Sequence, residues 1–468
     1  MRLQRIAGIA LAFLFLLSGC TPADAGGISS ETVSSAVSQT PASSSVAAPQ
    51  PPQQMEQTGI VTECSGNRFS VAGAQDGTVL TFSVQDSQQL PSLGETVQVV
   101  YLAAQDGTLT LLSVTQCKPA PLWAQYREKA EEMLSQLTLE QRVGQLFWIR
   151  CPQLSQQALE DIAAYQPGGL LLFGRDFADQ SAEQIQQTIA SYQNVSPIPL
   201  LVGADEEGGT VVRVSSNPQL REPPFLSPSA LYQSGGMEAV CADAQEKSRL
   251  LLSLGVNVNL APVCDVSTSP TDYIYSRTLG QDAQTTAEYV SQVVKVMEQE
   301  GIGSVLKHFP GYGDNADTHT GIAYDTRPYQ QFEQQDFLPF QAGIQAGAPC
   351  VLVSHNVVAS MDAQWPASLS PQVHEILREQ LEFEGVILTD DLVMDAIREY
   401  TDGESAAVQA VRAGNDMLIV TDYPQQIPAV LEAVKAGELS QQQIDSAVVR
   451  ILCWKMSLGL LALASGDD

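Results

Sequence analysis

The stretch Ser304-Val305-Leu306-Lys307-His308-Phe309-Pro310-Gly311-Tyr312-Gly313-Asp314-Asn315-Ala316-Asp317-Thr318-His319-Thr320-Gly321 begins as a strand and ends as a polar loop. Pro310, Gly311 and Gly313 oppose regular structure, so the polar groups hang from the carboxyl end of the strand Ser304 to Lys307. Asp317 and His319 lie two apart, and a bent loop lets the carboxylate hold the imidazole. That pairing fixes a tautomer and raises basicity, which suits a proton shuttle near neutral pH. A solvated loop with incidental histidines reads the same way in isolation, so the surrounding chain has to decide.

Working outward, short aliphatic runs alternate with longer amphipathic stretches from about Trp123 to Leu460. The strand candidates are Gln145 to Ile149, Gly169 to Phe173, Leu200 to Ala204, Val256 to Leu260, Ser304 to Lys307, Cys350 to Val353, Gly385 to Thr389 and Asp416 to Val420. Between them, Ala287, Val290, Val294 and Met297 mark one face of a helix over 282–300, which Gly301 stops. Eight buried strands with intervening helices predict an α/β fold of the (β/α)8 TIM-barrel type, with a doubly wound open sheet as the alternative. A barrel places reactive groups at the carboxyl ends of its strands, and polar residues do gather there. Leu200 to Ala204 runs into Asp205-Glu206-Glu207, Val256 to Leu260 leads to Asp265, and Cys350 to Val353 is followed by Ser354-His355-Asn356. Gly385 to Thr389 delivers Asp390 and Asp391, of which Asp390 projects into the mouth and Asp391 caps the next helix. Lone His374 belongs to a surface helix.

The amino-terminal part has a different character. Arg2 and Arg5 precede the apolar run Ile6 to Leu17 and then Leu17-Ser18-Gly19-Cys20, an export signal over residues 1–20. Residues 21–57 are rich in Ser, Ala, Pro, Thr and Gln and read as a disordered tether. Residues 58–117 carry short β-rich runs joined by repeated Ala-Gln-Asp-Gly-Thr turns, at 74–78 and 104–108, so a small all-β domain of about five strands precedes the barrel of 123–460. It serves as a wall-binding module or as a spacer. Cys64 and Cys117 bracket it and could pair in an exported protein, whereas Cys264 and Cys350 read as small core residues. The chain has 53 acidic residues against 23 basic and a net charge of −30, which argues against nucleic acid as a partner.

Several of these residues resemble the signatures of family 3 glycoside hydrolases, specifically the bacterial β-N-acetylglucosaminidases. The matching stretches are Lys307-His308-Phe309-Pro310-Gly311, Asp317-Thr318-His319, Thr389-Asp390-Asp391-Leu392, Asp205 to Arg213, and Ser276 to Gly280, in the family's order. The resemblance implies a retaining exo-β-N-acetylglucosaminidase without metal or cofactor, acting on a carbohydrate. Asp390 is then the nucleophile, His319 the acid and then the base, and Asp317 the group that orients His319. Substrate contacts fall on Asp205, Arg213, Arg277, Lys307 and His308, since carboxylates accept from sugar hydroxyls while Arg and Lys donate. For Arg213, a buried ion-pair network is the alternative. Relatives of the β-glucosidase type take their acid/base from a second domain; this chain ends shortly after a helix at 440–458, which points to the histidine type.

Leu17-Ser18-Gly19-Cys20 resembles a bacterial lipobox, which implies lipidation at Cys20 and an extracytoplasmic protein anchored to the cell membrane, with plain secretion as the alternative. Three departures from the family pattern are Thr318 for its serine, Tyr312 for its His or Arg, and Thr210 for its Arg. Three rival readings remain: a β-glucosidase-like family 3 hydrolase, a metal-dependent hydrolase using His308, Asp314, Asp317 and His319, and a non-catalytic wall-binding lipoprotein.

Overall fold

A computed structural model of the chain describes residues 53–461, apart from 66–67, 74–77, 85–90, 92–95, 105–107, 117–122, 314–322, 395–396, 398–399 and 401–404. The expected signal segment with Cys20, most of the tether, Cys117, both Asp-Gly turns, and Asp317, Thr318 and His319 lie outside the described residues.

The first five strands are β1 (Gln53–Ser65), β2 (Arg68–Gly73), β3 (Val79–Ser83), β4 (Thr96–Ala103) and β5 (Leu109–Gln116), in an antiparallel sheet of order β3-β2-β1-β4-β5. Backbone bonds Gly73 N–H to Thr78 O (2.9 Å) and Ala104 N–H to Thr108 O (3.0 Å) close the two hairpins at the predicted turns. Val61, Phe69, Val71, Phe82, Val97, Val99 and Tyr101 form the buried face of this sheet. The sheet begins at Gln53, not at 58, because Gln53 to Gln57 pair residue by residue with Val99 to Ala103. Composition suggested a tether there; the backbone ladder orders the segment while Gln54, Met55 and Glu56 stay exposed.

The barrel strands are β6 (Phe147–Arg150), β7 (Gly169–Leu172), β8 (Leu201–Ala204), β9 (Val258–Asn259), β10 (Gly303–Phe309), β12 (Cys350–Val353), β14 (Val386–Thr389) and β15 (Leu418–Val420). A two-stranded accessory pair, β11 (Tyr324–Asp325) with β13 (Val357–Val358), sits between them in the sequence. The eight strands run parallel in the order β14-β12-β10-β9-β8-β7-β6-β15, and the Leu388–Met417 bridge joins the last to the first. This closure is the barrel and excludes the open sheet.

Alternation with a period of two explains how such apolar strands build both a core and a site. Trp148, Leu171, Leu201, Val258, Val305, Cys350, Leu352, Val386, Leu388, Met417 and Ile419 point inward and pack together. Their neighbours Phe147, Ile149, Leu170, Leu172, Val202, Leu306, Val351, Ile387, Leu418 and Val420 point outward into the layer beneath the helices. Gly203 is an inward position left empty for the large indole, since a Cβ there would lie 2.6 Å from Trp148 Cζ2. Trp454, from the helix Gln441–Ser457, closes the amino-terminal end of the barrel edge-on to Trp148, with centroids 5.7 Å apart.

Helix boundaries follow local chemistry. Asp282 Oδ1 accepts from Thr285 N–H (2.8 Å) to start Ala283–Glu300, Gly301 ends it at φ 80°, and the predicted face of Ala287, Val290, Val294 and Met297 is buried. Thr138 with Gln141, and Ser181 with Gln184, form reciprocal capping boxes. Gln145, expected in the first strand, instead ends the helix Leu139–Gln145. His374, expected on the surface, is 3% exposed: its Nδ1 donates to Ser370 O (2.8 Å), and burial lowers its pKa.

Candidate active site

Two residues beyond the last inward apolar side chain, the same alternation reaches the barrel mouth. Trp148 is followed by Arg150, Leu171 by Phe173, Gly203 by Asp205, Val305 by Lys307 and Leu388 by Asp390, and all five of these line one cavity of about 500 Å³. Thr210, Val211 and Arg213 enter from the loop after β8, Tyr273, Ser276 and Arg277 from a 3-10 turn at Tyr273–Arg277, and His308 and Tyr312 from the end of β10. Thus Asp205, Arg213, Arg277, Lys307, His308 and Asp390 converge on a single site. Asp317 and His319 fall in the undescribed segment 314–322, which leaves the same strand end as His308.

The polar wall of the cavity is an ordered charge network. Lys307, 2% exposed, places Nζ 2.7 Å from Asp205 Oδ1 and 2.6 Å from Glu207 Oε1. Arg277 clamps Glu207 with both arms, Nε at 2.9 Å and a terminal nitrogen at 2.7 Å, and Arg213 approaches Asp205 at 3.8 Å. Burial alone would raise the Glu207 carboxyl, but Lys307 and Arg277 outweigh it and hold it well below the usual carboxylate range. Arg277 also donates to His308 Nε2 (3.0 Å), and a guanidinium only donates. His308 therefore carries its proton on Nδ1, which faces Asp265 Oδ2 at 2.7 Å. Asp265 additionally accepts from the N–H groups of His308 (3.2 Å) and Tyr312 (2.7 Å), fixing the turn after β10.

Asp390 follows β14 directly; its Oδ1 accepts from Asp391 N–H (2.8 Å), and its own N–H bonds Val353 O (3.2 Å). Asp391 accepts from Val393 N–H and Thr421 Oγ1, each at 3.1 Å, as a cap would. Burial, reinforced by the adjacent Asp390 charge, pushes its carboxyl up to about 6. His355 is fully buried, spanning Ser368 Oγ (2.7 Å) and the Asp391 carbonyl (3.1 Å), so it supports the Asp390-Asp391 turn from behind. Glu206 is a hub of a different kind: its carboxylate accepts from the N–H groups of Arg213, Val214 and Ser215 and from the Ser215 hydroxyl, shaping the loop that brings Arg213 round.

Sequence reasoning assigned no role to Glu207, Asp265, Arg150 or Phe173. The first two follow strands already recognised. Arg150 and Phe173 were marked by parity alone, each two residues past an inward apolar side chain; the Arg150 guanidinium lies 4.4 Å from the Phe173 ring centroid. No group of three or more His, Cys, Asp or Glu among the described residues could hold a metal ion. Both ring nitrogens of His308, one of the four residues in the metal-dependent reading, are already engaged.

A (β/α)8 barrel with a strand-end carboxylate facing fixed, pairwise-neutralised charges is a site suited to a polyhydroxylated ligand. Comparison with known proteins agrees. Residues 138–453 match the family described as glycosyl hydrolase family 3 N terminal domain, and the chain belongs to that family. A β-hexosaminidase of Stenotrophomonas maltophilia is 35% identical over 308 residues, covering 64% of this chain and 89% of that protein. The structure of a family 3 β-N-acetylglucosaminidase from Paenibacillus sp. superposes with a TM-score of 0.64 at 30% identity, covering 71% of this chain and 66% of that one. The M. tuberculosis protein LpqI gives 0.63 at 29% identity, covering 70% of this chain and 96% of its own.

Proposed function

We propose that this chain is a retaining β-N-acetylhexosaminidase that releases terminal β-linked N-acetylglucosamine. The observation that carries the proposal is Asp390, presented by a barrel strand to the same cavity as Asp205, Arg277 and Lys307. The similarity to β-hexosaminidases and β-N-acetylglucosaminidases supports the choice of sugar over plain β-glucosides. Asp390 attacks the anomeric carbon while His319, oriented by Asp317, protonates the departing oxygen. Neutral His319 then takes a proton from water, which displaces Asp390 and restores the β configuration. Asp205 accepts from sugar hydroxyls. Lys307, Arg277 and Arg213 donate to oxygens on the sugar, and His308 acts by holding Arg277, since both of its ring nitrogens are engaged. The natural substrates are peptidoglycan fragments outside the cytoplasmic membrane, where Cys20 anchors the protein through lipid; the lipobox-like Leu17 to Cys20 supports that placement.

The test is release of an aryl leaving group from a β-N-acetylglucosaminide, with Asp390→Ala as control, alongside the matching β-glucoside. Turnover of the first substrate, lost in the variant and insensitive to chelator, is expected. Preference for the β-glucoside would overturn the sugar assignment, and chelator sensitivity would restore the metal reading. Nuclear magnetic resonance of the first-formed anomer reads the stereochemistry. Fatty-acid labelling that disappears in Cys20→Ala reads the anchor.

A further inference from the structure

We infer that Tyr273 is a specificity-determining residue, a platform on which the pyranose ring of the leaving group packs. The enzyme then favours glycans in which the terminal sugar is joined to a second sugar over simple glycosides. The inference rests on the proposed reading, in which Asp390 attacks the anomeric carbon and the terminal sugar occupies the charged part of the cavity.

The cavity is charged at depth and apolar at its rim. Side-chain exposure is 2% for Lys307, 14% for Arg277 and 15% for Asp205, and the inward core residues Leu171, Leu260, Leu352 and Ile419 close the floor. Of the large apolar side chains that stay exposed among the described residues, Tyr273 at 39% and Val393 at 36% line this same cavity. Each is tied to a group assigned to the terminal sugar. Tyr273 opens the 3-10 turn that ends in Arg277, and Val393 lies three residues past Asp390. A terminal sugar held by the sunken charges has only the opening through which to direct the rest of a larger substrate. There it meets an aromatic ring and an aliphatic side chain.

Tyr273 is fixed in advance of binding. Ile274 beside it is fully buried, Tyr275 N–H bonds Asp272 O (3.2 Å), and Ser267 Oγ donates to Asp272 Oδ2 (2.7 Å), which anchors the start of the turn. The clamp of Arg277 on Glu207 anchors its end. The Tyr273 ring packs on Tyr312, with centroids 6.0 Å apart, and Tyr312 packs edge-on to His308 at 5.4 Å. Tyr312 is 2% exposed and is held through its N–H by Asp265. An exposed aromatic ring already held in place loses little freedom on binding, so the contact it makes is retained as affinity. A gluco-configured pyranose carries its substituents equatorially, and its axial C–H groups form the flat apolar faces that an aromatic ring covers. N-acetylglucosamine and muramic acid share this ring, so either qualifies as the leaving sugar.

The experiment measures kcat/KM in wild type, Tyr273→Ala and Tyr273→Phe on three substrates. Two are disaccharides, with N-acetylglucosamine β-1,4-linked to N-acetylglucosamine or to N-acetylmuramic acid; the third is methyl β-N-acetylglucosaminide, which has no ring beyond the scissile oxygen. The quantity read is the preference for each disaccharide over the methyl glycoside. In Tyr273→Ala it is expected to fall about tenfold, the effect of losing one partly exposed aromatic contact. Tyr273→Phe, which keeps the ring and loses only the hydroxyl, should hold it within about twofold. A fall confined to one disaccharide upholds the platform and identifies the leaving sugar. A preference unchanged in Tyr273→Ala, including equal losses on all three substrates, would overturn the inference alone, as would a fall in Tyr273→Phe as large as that in Tyr273→Ala. A wild type that releases N-acetylglucosamine from none of the three would overturn the proposed function and this inference together. If Tyr273→Ala does not fold, Tyr273→Leu, which keeps bulk in the turn but not the flat face, carries the same comparison.

Discussion

Replacing Glu207 by Gln tests whether the cavity's cations are held by their carboxylates or merely lie near them. The side chain is 1% exposed, with Lys307 Nζ at 2.6 Å and two Arg277 nitrogens at 2.7 and 2.9 Å. Glutamine keeps the shape and one acceptor but removes the charge, leaving Arg277 without its carboxylate and Lys307 with Asp205 alone. Breaking a buried pair by removing one partner costs about 3–5 kcal/mol, because the surviving charge stays desolvated. At the roughly 2 °C per kcal/mol expected of a large barrel, the melting temperature should fall by about 6–10 °C.

The pH dependence has a definite sign. The folded carboxyl lies below its unfolded value of 4.5, so its contribution is present above that value and is lost as the pH falls through the folded value. The difference in stability between wild type and Glu207→Gln should therefore be flat from pH 8 to 5 and shrink only in stronger acid. Lys307 and Arg277 lose their fixed aim at the same time. A drop in kcat/KM of about 10²-fold, equivalent to roughly 3 kcal/mol, is expected on the aryl β-N-acetylglucosaminide. Thermal unfolding at several pH values and steady-state kinetics on the folded variant make the comparison. A stability change below about 1 kcal/mol with kcat/KM within threefold would refute the reasoning.

Three further outcomes follow from individual side chains. Lys455, buried in the helix Gln441–Ser457 with its Nζ 2.6 Å from Gln145 Oε1, is brought by burial from 10.5 down to about 7. The unfolded chain therefore binds the extra proton between pH 7 and 10.5, and stability rises with pH by up to about 5 kcal/mol in total. Lys455→Met should unfold later than wild type at pH 7 in denaturant titrations, by a margin that shrinks towards pH 10. Asp391, pushed up to about 6, contributes stability below its unfolded value of 3.8 that is lost as pH rises through 6. Asp391→Asn should accordingly gain up to about 3 kcal/mol over wild type between pH 4 and 7, read from the same titrations. Arg150→Met keeps the contact with Phe173 but removes a cation from the cavity; KM should rise about tenfold with little change in melting temperature.

The barrel was legible because parallel strands buried on both faces read as continuous aliphatic runs, and all eight are where such runs occur. Their ends were harder to read. Strand β10 continues through Lys307 and His308 to Phe309, although a lysine and a histidine look like the start of a loop. Lys307 can be buried there because Asp205 and Glu207, about a hundred residues earlier, meet it, and such distant compensation leaves no local trace. The site was half legible. Carboxylates directly after strands announced Asp205 and Asp390, and Asp265 was placed near the mouth without a role, while Arg150 and Phe173 required counting inward parity through a register that became clear only once the barrel closed. Gln53 to Gln57 mark the opposite limit, where a backbone ladder orders a segment that side-chain composition leaves blank.

The charge arrangement also bears on what enters the cavity. In a chain of net charge −30, a mouth lined by Arg150, Arg213, Arg277 and Lys307 suggests at first an anionic ligand. The geometry argues otherwise. Lys307 and Arg277 are neutralised by Glu207 and Asp205 at bonding distance, and Arg213 leans toward Asp205 as well. What such pairs offer a ligand is not net charge but oriented N–H donors beside carboxylate acceptors. Sugar hydroxyls, which donate and accept at once, satisfy both, whereas a carboxylate or phosphate would meet Asp205 and Asp390 with nothing to donate. On the proposed reading, in which Asp390 is the nucleophile, a neutral sugar bound through paired charges leaves that carboxylate in a site that is not strongly positive, which suits attack on the anomeric carbon.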